Sequence, residues 1–395
     1  MNKVTIKDID VNGKKVLMRC DFNVPLDENM HITDKTRIIA ALPTIKYLLE
    51  NNAKVILCSH LGRPKGEFKP EFSLKPVAEE LSAQLGMEVK LAEDVTGPSA
   101  HELTENMSEG EVVLLENVRF DPRETENDET LSKEFASLAD VFVNDAFGTC
   151  HRAHSSTVGV ASFLPAACGL LIEKELRILG DALNNPERPF VAILGGKKVS
   201  DKIGVINSLL DKVDTLLIGG AMAYTFYRAE GYTVGDSICE EDKLDLAREL
   251  VKTAEEKGVR MLKPVDNIVA KEVKPGGEHK DVPYTQIPDG WEGVDIGPET
   301  RKMYCEELQK AKTILWNGPV GLFEIDDFAE GTNVVANCVA NLENCTTIIG
   351  GGDSAAAVAK AGVADKMTHI STGGGATLEY IEGKVLPGIE AIPNK

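Results

Sequence analysis

Cationic side chains recur just after short apolar runs in the N-terminal half of this chain. Arg19, Asp21 and Asn23 follow one run, His60 and Arg63 the next, then Arg119, then His151, Arg152 and His154. Arg37 stands between the first two, at the start of "RIIAALPTIKYLL". Guanidinium groups bind phosphate and carboxylate oxygens in bidentate fashion, so this set suits a small, highly anionic ligand. Any single arginine would read as a surface ion pair. Five with the same placement favour a ligand. The C-terminal half carries glycines instead, in "GGKKVSDK", "GGAMA", "NGPVG", "GGGDSAAA" and "STGGGA". Glycine lets backbone N–H groups approach a phosphate or a flat base, and a helix starting there adds free amides. That suits a nucleotide. With no GxxxxGK[ST] the chain is not a P-loop protein, and with no GxGxxG a dinucleotide reading is weak.

Several positions have two readings. Asp353, beside Ser354 and after three glycines, suits Mg²⁺ on a nucleotide phosphate, or a helix N-cap. Lys198 and Lys202 reach one phosphate chain if a helix begins near Val199; otherwise they are a solvated pair. Cys150, His151 and His154 resemble zinc ligands but lack a fourth. A Cys150–His151 nucleophile has no visible orienting partner. Arg152 as an anion ligand fits the surroundings best, with the histidines lining its pocket or, for His154, filling the core.

The elements that must position these residues follow one pattern. About eleven β-branched apolar runs, from "KKVLMRC" to "MTHIS", alternate with amphipathic stretches such as "SLKPVAEELSAQLG". This predicts α/β architecture with parallel strands covered on both faces. So many strands exceed one sheet. The break at "NPERP" predicts two doubly wound, parallel-sheet (Rossmann-like) domains joined by a helical hinge. The polar clusters then lie at strand C-terminal ends, where open α/β sheets bind ligands. "DPRETENDETLSKE" reads as a solvated loop and helix face.

Hydrophobic residues make up 43% of the 395, and the net charge is −20. Such a surface repels nucleic acid and anionic membranes. The eight cysteines form no CxxC and are expected to be free thiols. The chain start lacks a signal-peptide core, and no apolar stretch is of spanning length, so a cytoplasmic protein is expected.

In order, "MRCDFNVP", "SHLGRP", "LLENVRF", "VNDAFGTCHRAHSS", "ILGGKKVSDKI", "IGGAMAYTF", "WNGPVGLFE", "IIGGGDSAAA" and "HISTGGGATLE" resemble the phosphoglycerate kinase family over essentially the whole chain. The resemblance implies Mg²⁺-dependent, reversible phosphoryl transfer from 1,3-bisphosphoglycerate to ADP, giving 3-phosphoglycerate and ATP. It implies a 3-phosphoglycerate domain at 1–170, a hinge at 171–185 and a nucleotide domain at 186–380, followed by a tail at 381–395 whose packing back on the first domain the sequence leaves open. Substrate contacts would come from Asp21, Phe22, Asn23, Arg37, His60, Leu61, Gly62, Arg63, Arg119 and Arg152. Nucleotide contacts would come from Lys198, Lys202, Gly293, Asn317, Glu324, Gly351, Gly352, Asp353 and Ser354, with Asp353 as metal ligand. Arg37, Lys198, Gly373 and Gly374 would serve the transferring group. A monomer with small-molecule substrates, and with no nucleic-acid or membrane partner, is the family expectation. Lys197 departs from the family, where a small residue is usual, and Ala221 stands where a third glycine is common. The competing readings are a nicotinamide-dependent dehydrogenase, which lacks its fingerprint, and a non-catalytic nucleotide sensor on the same fold.

Overall fold

The computed structural model describes residues 2–395. They form two compact units: residues up to Arg177 together with Val385–Lys395, and Ile178–Lys384. The division falls inside the helix Leu170–Asn184.

The first unit is built on β1 (Lys15–Arg19), β2 (Lys54–Cys58), β3 (Val89–Leu91), β4 (Val112–Leu114), β5 (Val141–Asn144) and β6 (Ala166–Cys168). They form one parallel sheet in the order β3-β4-β2-β1-β5-β6. Val, Ile and Leu fill the strands because helices cover both faces, and β1, β2 and β4 are buried almost without interruption. β6, "AAC", has no β-branched residue and escaped the sequence reading. The tail belongs to this unit. Val4 N–H donates to Pro393 O (2.9 Å), Gly388 N–H to Cys150 O (2.9 Å), and Lys3 Nζ to Ile392 O (2.8 Å).

The second unit contains β7 (Phe190–Leu194), β8 (Thr215–Ile218), β9 (Arg260–Leu262), β10 (Asp266–Ala270), β11 (His279–Pro283), β12 (Glu292–Ile296), β13 (Thr313–Asn317), β14 (Thr346–Gly350) and β15 (His369–Ile370). Six of them form a parallel sheet, β15-β14-β13-β7-β8-β9. The core on one face gathers Val191, Ile193, Ile314, Trp316, Val335 and Ile349. The other three form an antiparallel sheet, β11-β10-β12, which the sequence reading lacked. Its strands carry Asp, Asn, Lys and Gly among the apolar residues, so no run announces them.

Chain order reverses between β1 and β5 in one sheet and between β7 and β13 in the other. These are the switch points where open α/β sheets leave a crevice.

Two expectations fail. Cys305 and Cys338, on the helices Pro298–Leu308 and Glu330–Ala340, are joined in a disulfide with Cα atoms 5.8 Å apart. They are 33 residues apart in sequence, and only helix packing brings them together. The other six cysteines are free, as expected. The acidic run at 121–134 is not simply solvated. Glu124 is fully buried, and Arg123 pairs with Asp121 (2.7 Å) and Glu134 (2.9 Å).

Candidate functional site

The cations of the first unit leave the C-terminal ends of β1, β2, β4 and β5, so a parallel sheet delivers them to one edge. Arg37 Nη1 donates to Asp21 Oδ1 (3.1 Å) and Asn23 O (2.9 Å). Asn23 Oδ1 in turn accepts from Gly62 N–H (2.8 Å), tying the loop after β1 to the loop after β2. Gly62 has φ +61°, and a Cβ there would strike the Phe72 ring, so glycine is required. Arg119 Nη1 donates to Gly62 O (3.0 Å). Beneath them, Asn117 Nδ2 holds Leu61 O (2.7 Å) and Phe72 O (2.9 Å), while its Oδ1 accepts from Arg119 N–H (3.0 Å). "ENVRF" thus organises "SHLGRP", a coupling that sequence spacing does not carry. Arg63 and Arg152 are exposed. Phe22 and Leu61 have core side chains, and only their backbone belongs to the loops.

Arg19, absent from the expected ligand set, is fully buried under this cluster. Its Nε donates to Ser156 Oγ (2.8 Å), and Ser156 Oγ donates to Glu124 Oε1 (2.5 Å). Burial lifts the Glu124 carboxyl above its usual range, against the Arg19 charge and the Ser156 bonds. Arg19 Nη2 lies 3.3 Å from His60 Nδ1. Guanidinium only donates, so Nδ1 accepts and the ring proton sits on Nε2. Burial, then Arg19, Arg119 and Arg37, hold His60 well below the usual histidine range. Burial and the same arginine field bring His154 down to about 4, and its Nδ1 has no hydrogen-bond partner among the described residues. Both rings are therefore neutral near pH 7, and the positive charge resides on arginine. Burial, Arg19 and Arg152 also lower Arg119 to about 10, as crowding of cations in a desolvated place does.

Burial decides against the Cys150–His151 nucleophile. Cys150 is fully buried, burial lifts its thiol well above the usual range, and Sγ donates to Ala146 O (3.3 Å). Such a thiol is no nucleophile. No group of three or more His, Cys, Asp or Glu side chains that could hold a metal occurs among the described residues.

The second unit contains a cavity of about 570 Å³ at its switch point. One end is walled by Gly195, Gly196, Lys197, Lys202 and Asp353, the other by Tyr224, Ile238, Glu292, Gly293 and Val294. The turn Gly318–Glu324 forms a side of it. Gly195 and Gly318 press together so closely that a Cβ on either would collide with the other loop's backbone. Asn317 ties this end together, donating through Nδ2 to Gly350 O (2.8 Å) and accepting from Lys202 Nζ through Oδ1. Ser354 Oγ accepts from Gly318 N–H (2.6 Å). Burial lowers Lys202, against the charges of Asp353, Asp201 and Glu382.

The N-cap alternative for Asp353 and Ser354 is not realised. Gly351, at φ +96°, caps the helix Gly352–Lys360, and no side chain bonds to its N-terminus. Asp353 is exposed on the cavity wall. The helix from Val199, the condition for Lys198 and Lys202 to share one phosphate chain, is absent as well. Residues 199–202 form a turn, and the helix begins at Ile203. Lys202 therefore reaches the cavity while Lys198 stays exposed outside its wall, where Lys197 stands instead. Gly373 and Gly374 precede the helix Gly375–Ile381, and Gly373 N–H donates to Ser371 Oγ (3.2 Å). Neither glycine lines the cavity, nor do Gly351 and Gly352, nor Asn317 and Ser354, which bond to its walls at Lys202 and Gly318. Tyr224, Ile238 and Leu322 line it and were not among the expected contacts.

The fold is that of a two-unit α/β protein with a cation cluster at one switch point and a cavity at the other. The family model for phosphoglycerate kinase matches residues 6–384. A phosphoglycerate kinase of Clostridium perfringens is 61% identical, covering 100% of this chain and 99% of the relative. One of Clostridium tetani is 59% identical, covering 100% and 98%. The solved phosphoglycerate kinase of Coxiella burnetii superimposes with TM-score 0.90 at 42% identity over 98% of both chains, and that of Pyrococcus horikoshii with 0.84 at 33% over 98% of both. The chain belongs to the phosphoglycerate kinase family. Its activity is the family's phosphoryl transfer to and from a carboxyl group.

Proposed function

We propose that the arginine cluster of the first unit binds 3-phosphoglycerate and 1,3-bisphosphoglycerate, and that the glycine-walled cavity of the second binds ADP and ATP with Mg²⁺. The observation that carries this division is charge. In a chain of net charge −20, Arg19, Arg37, Arg63, Arg119 and Arg152 converge on one sheet edge with two neutral histidines. His60 Nε2–H, Arg37, Arg119 and Arg152 are the donors offered to the phosphorylated acid. Asp21 and Asn23 hold Arg37 in place rather than touching charge themselves.

In the cavity, which all three line, Lys202 and Lys197 would meet the phosphates and Glu324 the ribose. Gly293 and Val294, with Tyr224 and Leu322, form the slot for the base. An exposed carboxylate at a glycine-capped helix fits Mg²⁺, which takes one or two carboxylates and fills its other positions with phosphate oxygens and water. Asp353 would hold it, and the ion would screen the phosphate charge. The acceptor carboxylate is ionised near pH 7, so no general base is needed. The chain's work is alignment and charge neutralisation of an in-line transfer. Transfer requires the two ligands to meet, so hinge closure belongs to the proposal. A monomer is proposed as well, and sedimentation tests that. A cytoplasmic location is also proposed, and cell fractionation tests it.

The decisive assay is ATP formation from 1,3-bisphosphoglycerate and ADP, with and without Mg²⁺. Arg37→Ala is expected to lower turnover by about 10²-fold while ADP affinity stays within about twofold. A comparable loss of ADP affinity would sink the assignment of Arg37. Lys202→Ala is expected to weaken ADP binding more than Lys198→Ala, because only Lys202 lines the cavity.

A further inference from the structure

The cavity of the second unit rests on a buried carboxyl group that none of these roles uses. Asp295 lies on β12, 2% exposed, next to Val294 and two residues from Gly293 in the cavity wall. Its Oδ2 accepts from Gly331 N–H (2.7 Å) in the first turn of the helix Glu330–Ala340. Arg301 Nη2, from the helix Pro298–Leu308, lies 3.6 Å from the same oxygen. Oδ1 has no hydrogen-bond partner among the described residues. Gly321 and Gly331 fit so closely against it that a Cβ on either would collide with it. Gly321 belongs to the cavity-lining turn, whose Leu322 N–H bonds to Val294 O (2.9 Å). One carboxylate thus meets a strand, two helices and the turn that carries Glu324. A buried carboxylate with an unused oxygen costs stability, and an apolar side chain would fill the volume more cheaply.

We propose that Asp295 is a positioning residue for the nucleotide site. Its carboxylate seats Gly321, and through Gly321 it sets the wall that Leu322 and Glu324 present to the base and ribose. This rests on the reading of the cavity as the nucleotide site. It touches no substrate and acts through the turn alone.

The test is steady-state kinetics of the full chain with ATP and 3-phosphoglycerate, for Asp295→Ala, Asp295→Asn, Gly321→Ala and the double variant Asp295→Ala/Gly321→Ala, each with its melting temperature. Asp295→Ala and Gly321→Ala are each expected to raise KM for ATP about tenfold, with KM for 3-phosphoglycerate within about twofold and kcat within about threefold. Truncating Asp295 makes the room that the new Cβ needs, so the double variant rises by less than the product of the singles. Asp295→Asn keeps the volume and the acceptor for Gly331, and its ATP KM stays within about threefold of the parent. An unchanged ATP KM in a folded Asp295→Ala overturns the inference, as does a rise shared equally by both substrates. So do singles that simply multiply. If Asp295→Ala does not fold, Gly321→Ala decides, and an unchanged ATP KM there overturns it. A parent enzyme that ATP does not stabilise against melting overturns the nucleotide reading itself. A parent that ATP stabilises, with Asp295→Ala unmoved, overturns only the role of Asp295.

Discussion

The cationic pocket owes its charge to arginine because its histidines are forced to stay neutral. Burial and the arginine field place His154 at about 4, below the ordinary 6.5. A depressed histidine contributes stability that is full above its unfolded value and is lost as pH falls through its folded value. The His154 ring resonance is therefore expected to titrate with a midpoint near pH 4, and to show no change between pH 6 and 8. A midpoint above 6 would show that the arginines do not face the ring as described. The residue types of this pocket were legible in the sequence because each cation follows an apolar run. Arg19 itself was visible there, but its depth was not. Its burial depends on Ser156 and Glu124, 137 and 105 positions away in the chain.

At the scale of elements, carboxylates anchor helix starts from a distance. Asp145, 1% exposed just after β5, accepts from Leu171 N–H (2.9 Å) and Ile172 N–H (3.2 Å) at the start of the helix Leu170–Asn184. Burial, opposed by these bonds, raises its carboxyl from 3.8 to about 7. A raised carboxyl takes up its proton on folding between those values. Its contribution to stability therefore falls as pH rises from about 4 to about 7, and is constant above. Asp145→Asn does not titrate, so its stability relative to the parent is expected to rise over that window by up to about 4 kcal/mol. Urea midpoints at pH 5 and pH 8 check this, and a difference independent of pH would overturn it. Such anchors were not legible. "VNDAFG" reads as a strand and loop, and nothing local ties Asp145 to amides 26 residues on. Helix starts misled for the same reason. The turn at 199–202 delays the helix to Ile203 and exchanges Lys198 for Lys197 at the cavity wall.

At the scale of the whole molecule, the chain ends join the first unit. Leu386, Ile389 and Ile392 are buried, and the tail's bonds reach Lys3, Val4 and Cys150. Deleting residues 386–395 is expected to destabilise the first unit by about 5 kcal/mol, from apolar burial alone. Hydrogen exchange checks this. Amides of β1 and β5 should exchange faster while those of β7 and β13 hold. Faster exchange in β7 and β13 instead would contradict the division. By itself the sequence determined the parallel α/β plan, the arginine-rich and glycine-rich halves and the family. These follow from local composition, since β-branched runs make covered strands and strand ends gather ligand groups. Only the tertiary structure decided the antiparallel sheet β11-β10-β12, the Cys305–Cys338 pair, the burial of Arg19 and Glu124, and the place of Asp295 behind the cavity of the second unit. Each depends on distances between residues far apart in the chain, and packing sets those distances.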